Sequence, residues 1–107
     1  MKGTRMRLIE LDAAGWKSPI DFLQALKVAL GSSKGHGMSP AAFVDSMIWG
    51  GMNDVEPPYV IRITDIRGVP EEVADYVALM ISVIQEARRD RLQRRGDDIE
   101  VSIETDE

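Results

Sequence analysis

The chain has 107 residues, no cysteine and a formal net charge of −5. That length fits one domain, residues 1–107, with a core of ordinary size. Lack of cysteine excludes a disulfide framework and any thiolate metal site; the negative charge opposes binding to nucleic acid or anionic lipid and favours a basic protein partner.

The first apolar run is broken by Glu10 and Asp12, so it lacks the apolar centre of a signal peptide. No apolar run approaches the roughly 20 residues that span a bilayer. With the missing cysteines, these features set the expectation of a cytoplasmic protein. Arg7–Asp12 is a short aliphatic run that predicts a first strand, and Ala13-Ala14-Gly15 turns the chain. Ser18-Pro19-Ile20-Asp21 is a strong helix start: a serine cap, proline at the first position and an acid in the first turn. Phe22, Leu23, Leu26, Val28 and Leu30 continue its apolar face to Leu30. Gly31–Gly35 reads as a loop.

The rest of the chain is organised around Gly35–Asn53, two glycine-rich loops flanking a short helix. Ser39 caps that helix, Pro40 fits its first position, and it runs to Ile48 before Gly50-Gly51 stops it. Phe43, Met47 and Ile48 fall on a core-facing stripe; Asp45 falls off it and should point outward. Asp54–Pro58 is extended, because residues before proline are pushed out of the helical region. Tyr59–Thr64 is the clearest strand, and Asp65–Gly68 a connector with room for one helical turn. A long helix opens at Pro70-Glu71-Glu72 and ends at Gly96, with Val73, Val77, Met80, Ile81, Ile84 and Ala87 as its buried stripe. Ile99–Glu104 alternates and predicts an edge or half-buried strand. Strands alternating with helices predict an α/β fold with a three-stranded parallel sheet joined by right-handed crossovers.

Few residues have catalytic spacing. Gly35-His36-Gly37 lacks the later glycine and the preceding strand of a dinucleotide site. His36 is the only histidine, so a transition-metal site is not expected. Paired with Asp45 or Glu86 near Ser32, Ser33 and Ser39, it would give a small hydrolase, but no nucleophile elbow accompanies it. The expectation is therefore a protein that is not an enzyme, with no cofactor and no small-molecule substrate. Arg88, Arg89, Arg91, Arg94 and Arg95 crowd the end of the long helix, where cations complement the macrodipole. Asp90, Asp97 and Asp98 interrupt them, which argues against a nucleic-acid patch. Trp49 is a core anchor or a contact residue, and Met38, Met47 and Met52 offer an adaptable apolar surface.

Three stretches carry a family pattern: Asp21–Leu26 through Leu30-Gly31, Gly37–Asp45, and Val83-Ile84-Gln85-Glu86-Ala87. Together with the order of elements from Leu8 to Ile103, they resemble the barstar family of intracellular ribonuclease inhibitors. The resemblance implies four helices on a three-stranded parallel sheet. It also implies that the second helix and its preceding loop plug the active site of a barnase-type ribonuclease. By position, Asp45 matches the carboxylate that takes the place of a substrate phosphate. Glu86 matches a rim glutamate of the last helix, and Gly37 the glycine of the recognition loop. Gly35 and His36 stand at two tyrosine positions, Ser39 at asparagine, Pro40 at leucine, Ala41 at the first aspartate and Val44 at tryptophan. The implied contact set is Gly35, His36, Gly37, Met38, Ala41, Val44, Asp45, Trp49 and Glu86. A barstar-like module whose partner is not a nuclease is the alternative.

Overall fold

The computed structural model describes residues 6–32, 37–50 and 53–106. Three strands, β1 (Arg7–Asp12), β2 (Tyr59–Thr64) and β3 (Val101–Thr105), form a parallel sheet in the order β1-β2-β3. Arg7 faces Tyr59 and Asp12 faces Thr64 in one ladder; Tyr59 faces Val101 and Ile63 faces Thr105 in the other. Side-chain alternation sends Tyr59, Ile61, Ile63, Val101 and Ile103 into the core. The same alternation puts Leu8, Glu10, Arg62 and Glu104 on the opposite, exposed face. Arg62 Nε and Glu104 Oε2 pair across that face at 4.0 Å.

Helix α1 (Pro19–Leu30) begins as the sequence predicts. The Asp21 carboxylate accepts from the backbone N–H of Lys17 at 2.8 Å and of Ser18 at 3.2 Å. Phe22, Leu23, Leu26 and Leu30 are buried, but Val28 is 79 % exposed. Six residues after Phe22, Val28 sits about 240° around the helix, on the far side from the core. Gly31 caps the helix at φ 63°, and a Cβ there would lie 2.8 Å from that of Asp54. This close approach lets Asp54 N donate to Gly31 O and Val55 N to Leu30 O, both at 3.1 Å.

The predicted central helix is present in two parts: α2 (Pro40–Val44) and a π-helical turn, Asp45–Trp49. Ser39 Oγ accepts from Ala42 N at 3.2 Å, the expected cap, and Gly50 N donates to Asp45 O at 2.8 Å to close the π turn. The widened turn buries Ser46, Met47 and Ile48 in succession. After β2, Asp65 adopts φ 57° and only a 3-10 turn, Ile66–Gly68, fits before Pro70 opens α3 (Glu71–Arg95). The described residues therefore contain three α-helices, not the four implied by the resemblance. β3 also starts two residues later than predicted. Ile99 O accepts from Val101 N at 2.8 Å in a tight turn, so Ile99 packs beside the sheet without entering the ladder.

At 1.5 Å per residue the 25 residues of α3 run about 37 Å, close to the longest dimension of the molecule, 41 Å. Its N-terminal half packs on α1, with the Phe22 and Tyr76 rings 6.5 Å apart edge to face. Its C-terminal half packs on α2 and the π turn. Val73, Val77, Met80 and Ile84 form the buried stripe, while predicted Ile81 and Ala87 are half-buried at its margin. No helix among the described residues is long and apolar enough to cross a membrane.

Phe43 is fully buried and fastens α2 to the core, so Phe43→Ala should cost about 3–5 kcal/mol in urea unfolding. Arg88 grips Asp98 through two bonds, Nε–Oδ1 at 2.7 Å and Nη2–Oδ2 at 3.0 Å, and its Nη1 reaches Val101 O at 3.3 Å. The hydrogen bond from Arg88 holds the Asp98 carboxyl below its ordinary value. A lowered folded-state value stabilises fully above the unfolded value and fades as pH falls through the folded one. Urea midpoints should therefore drop less on acidification below the ordinary aspartate range in Asp98→Asn than in the wild type.

Candidate functional site

The surface on which most candidate residues fall is built by α2, the π turn and the middle of α3. Ser39 and Pro40 start α2 sharply, and Phe43 pins it to the core. That anchoring turns Ala41 and Asp45 to solvent and leaves Val44 half-buried. Val44 lies across from α3 in an open groove of about 350 Å³, whose other walls are Val83, Glu86, Ala87 and Asp90. The structure thus brings together Val44 and Glu86, which are 42 residues apart in sequence. Asp45 follows Val44 directly and is exposed. Asp90 pairs with Arg94 at 3.0 Å; among the described residues, Asp45 and Glu86 are in no ion pair. The groove therefore has an apolar floor and an acidic border.

Gly35 and His36 lie outside the described residues. Gly37 is exposed and does not have a positive φ; a Cβ there would meet Ala42 Cβ at 3.4 Å. Met38 is half-buried against the core. Trp49 is 40 % exposed rather than a core anchor. The guanidinium of Arg91 lies 5.1 Å from its ring centroid and that of Arg95 5.9 Å, an arrangement in which the ring face attracts cations. Arg91 Nη1 also donates to Ile48 O at 2.7 Å, satisfying a carbonyl at the end of the π turn.

The arginine cluster thus has a structural task that the sequence did not reveal. Arg88, Arg91 and Arg94 pair with Asp98, Asp97 and Asp90. The interrupting aspartates are the partners of those arginines. At the opposite end of the molecule, a cavity of about 640 Å³ opens near the carboxyl ends of the strands and is lined by Asp65, Arg67 and Asp106. Its hydrogen bond with Asp12, and repulsion from it, raise the Asp65 carboxyl above its ordinary value. No group of three or more acidic or histidine side chains among the described residues is placed to hold a metal ion.

Compared with known proteins, the chain matches no family model and no curated protein.

The double use of Arg91 gives a direct test of how the π turn is held. A hydrogen bond from a charged donor contributes about 1.5–3 kcal/mol, so Arg91→Ala should lose about 2 kcal/mol of stability in urea unfolding. Tryptophan emission should shift to longer wavelength as Trp49 loses its cover. Arg95→Ala, which removes only the more distant stack, should leave the unfolding midpoint nearly unchanged.

Proposed function

We propose that the chain is a barstar-like protein inhibitor, acting in the cytoplasm, that blocks a basic ribonuclease or related nuclease with its α2 surface. The observation that carries this reading is the position of Asp45. It is an exposed carboxylate with no ion pair among the described residues, held at the junction of α2 and the π turn beside the groove that joins Val44 to Glu86. The α/β class and the parallel three-stranded sheet are compatible with the resemblance, and the count of three α-helices among the described residues is a departure from it.

In this reading the Asp45 carboxylate occupies the place of a substrate phosphate and accepts charge-assisted hydrogen bonds from the partner's Arg, Lys or His. Glu86 sits at the rim. Acidic surface around the contact speeds encounter, and the on-rate falls as salt is added. Val44 supplies an apolar anchor point, and the exposed Ala41 and Gly37 allow close approach of the partner's backbone.

A second reading, a barstar-like module with a partner that is not a nuclease, is favoured by one observation. The groove floor is aliphatic, made by Val44, Val83 and Ala87, where the resemblance would place an aromatic side chain at position 44. Interfaces rest on a few well-fitted anchors, so this change alters which partner fits.

Truncating a buried, paired interface charge costs about 2–5 kcal/mol of binding. Asp45→Ala should weaken the complex with a barnase-type ribonuclease by that order in calorimetry and leave the unfolding midpoint within error of the wild type. Unchanged affinity would remove Asp45 from the interface. A wild-type protein that leaves the nuclease active, but retains another protein in an Asp45-dependent manner, would establish the second reading.

A further inference from the structure

The groove beside Val44 continues along α3 as an apolar strip. Val83 and Ala87 form part of its α3 wall. Leu79, one turn before Val83, extends the row toward the N-terminus of the helix. Leu79 is 47 % exposed, while Val44, Val83 and Ala87 are half-buried against the core. At 1.5 Å per residue the row from Leu79 to Ala87 runs about 12 Å. Single exposed leucines are ordinary on a surface, whereas an apolar row beside an open groove is the form of a contact site.

The charge around this strip has one sign. Between Arg67 and Arg88 the chain carries Glu71, Glu72, Asp75 and Glu86 and no lysine or arginine. From Ser39 to Trp49 the only charged side chain is Asp45, beside His36 in sequence but outside its loop. Asp75 and Glu86 are exposed and in no ion pair among the described residues. The cations that follow on α3 are engaged elsewhere: Arg88 holds Asp98 at 2.7 Å and Arg94 holds Asp90 at 3.0 Å. Arg89 opens onto a different groove, with Gln85 and Leu92. A partner that fits the strip is therefore apolar along its centre and cationic at its flanks.

The floor also restricts the partner's backbone. Val44, Leu79, Val83 and Ala87 offer only carbon, and the helix backbone behind them is bonded internally. An extended chain laid there would leave its own N–H and C=O groups against apolar surface, whereas a helix satisfies them itself. A helix also presents apolar side chains at the one-turn spacing of the strip, so that ridges enter grooves. We infer that the α2–α3 groove, extended by Leu79, is a docking site for a basic amphipathic helix of a protein partner. Its apolar side lies on Val44, Leu79, Val83 and Ala87, and its lysines or arginines reach Asp75 and Glu86. The inference rests on the reading of this face as a binding surface, but not on the partner being a nuclease.

The probe is an amidated peptide of leucine and lysine, about 14 residues or four helical turns long, with the leucines on one helical face. Its controls are the same composition in scrambled order and a leucine–glutamate peptide of the same pattern. With the full chain, the patterned lysine peptide should bind saturably in fluorescence anisotropy, gain helical circular dichroism, and shift the backbone amides of Val44, Val83 and Ala87. Both controls should bind at least tenfold more weakly. Leu79→Ser, at an exposed position, should weaken the peptide about tenfold, the scale of one leucine removed from water. Leu92→Ser, equally exposed beyond the groove, should leave it unchanged. Glu86→Gln should weaken binding and flatten its salt dependence. Equal binding of the scrambled peptide, or equal loss in Leu92→Ser, would overturn the docking site. So would concentration-dependent shifts of the same amides without peptide, because a second copy would then be the occupant. Peptide binding by a protein that leaves the nuclease active would support the site and remove the nuclease reading. Asp45-dependent nuclease inhibition with no peptide binding would keep that reading and overturn the helix site.

Discussion

The fold depends on the buried stripe of α3. Val73, Val77, Met80 and Ile84 give one helix contact with β3, α1, α2 and the π turn. Because α3 is about twice as long as the strands are at ~3.3 Å per residue, only part of it can lie over the sheet. The overhanging half needs a separate floor, and α2 with the π turn supplies it. The groove beside Val44 and a cavity lined by Ile48, Tyr59 and Arg91 both lie along that half.

The sheet illustrates a second constraint. Parallel sheets are usually covered on both faces, and their strands read as continuous apolar runs. Here only one face is covered, and β2 alternates instead: Tyr59, Ile61 and Ile63 point in, while Arg62 points out. The open face is tolerable because Glu10, Arg62 and Glu104 form a row across the three strands in register. At 4.0 Å, with both side chains about half exposed, the Arg62–Glu104 pair adds little to stability. Its value lies in keeping the face polar. Leu8, 54 % exposed at the edge, is the exception.

How much of this was legible in the sequence depended on whether the signal was local. Ser18-Pro19 and Ser39-Pro40 mark helix starts through backbone chemistry that acts within a few residues, and both start where predicted. The alternation in β2 and the stripe of α3 are periodic signals, and they were readable for the same reason. Val28 is apolar by type, but its angle around α1 puts it on the solvent side. The short connector before α3 was legible from Gly68 and Pro70, while the count of four helices that the resemblance implies exceeds the three α-helices of the described residues. The task of the arginines was not legible. Asp97 and Asp98 looked like interruptions of a basic patch, and only the turn that carries the chain from α3 into β3 brings them back against Arg91 and Arg88. Trp49 failed similarly: nothing local says that Arg91, 42 residues later, will lie over its ring. At the candidate surface, the outward position of Asp45 follows from helical periodicity, whereas the approach of its neighbour Val44 to Glu86 comes only from tertiary packing.

The places where local rules fail are themselves informative. A sequence that specifies its fold satisfies propensity, pattern and hydrogen bonding together, and natural proteins depart from this mainly where function demands it. Asp65, at φ 57°, is a mild departure, since aspartate is among the residues that accept that conformation. The segment from Asp45 to Tyr59 departs more strongly. A helix that could have continued as α widens into a π turn, a rare geometry that is frequent at functional sites. The described buried side-chain atoms that lack partners are in this segment or in Arg91, which is bonded to it. Stability alone would favour an ordinary last turn and phenylalanine at position 59. The chain instead keeps the exposed carboxylate of Asp45 at the start of the turn and ties the turn to α3 through the Arg91 guanidinium. Rigid support of an exposed polar group at some expense in stability is what binding surfaces require, and by that measure the turn is a better candidate surface than the larger cavity at the strand ends.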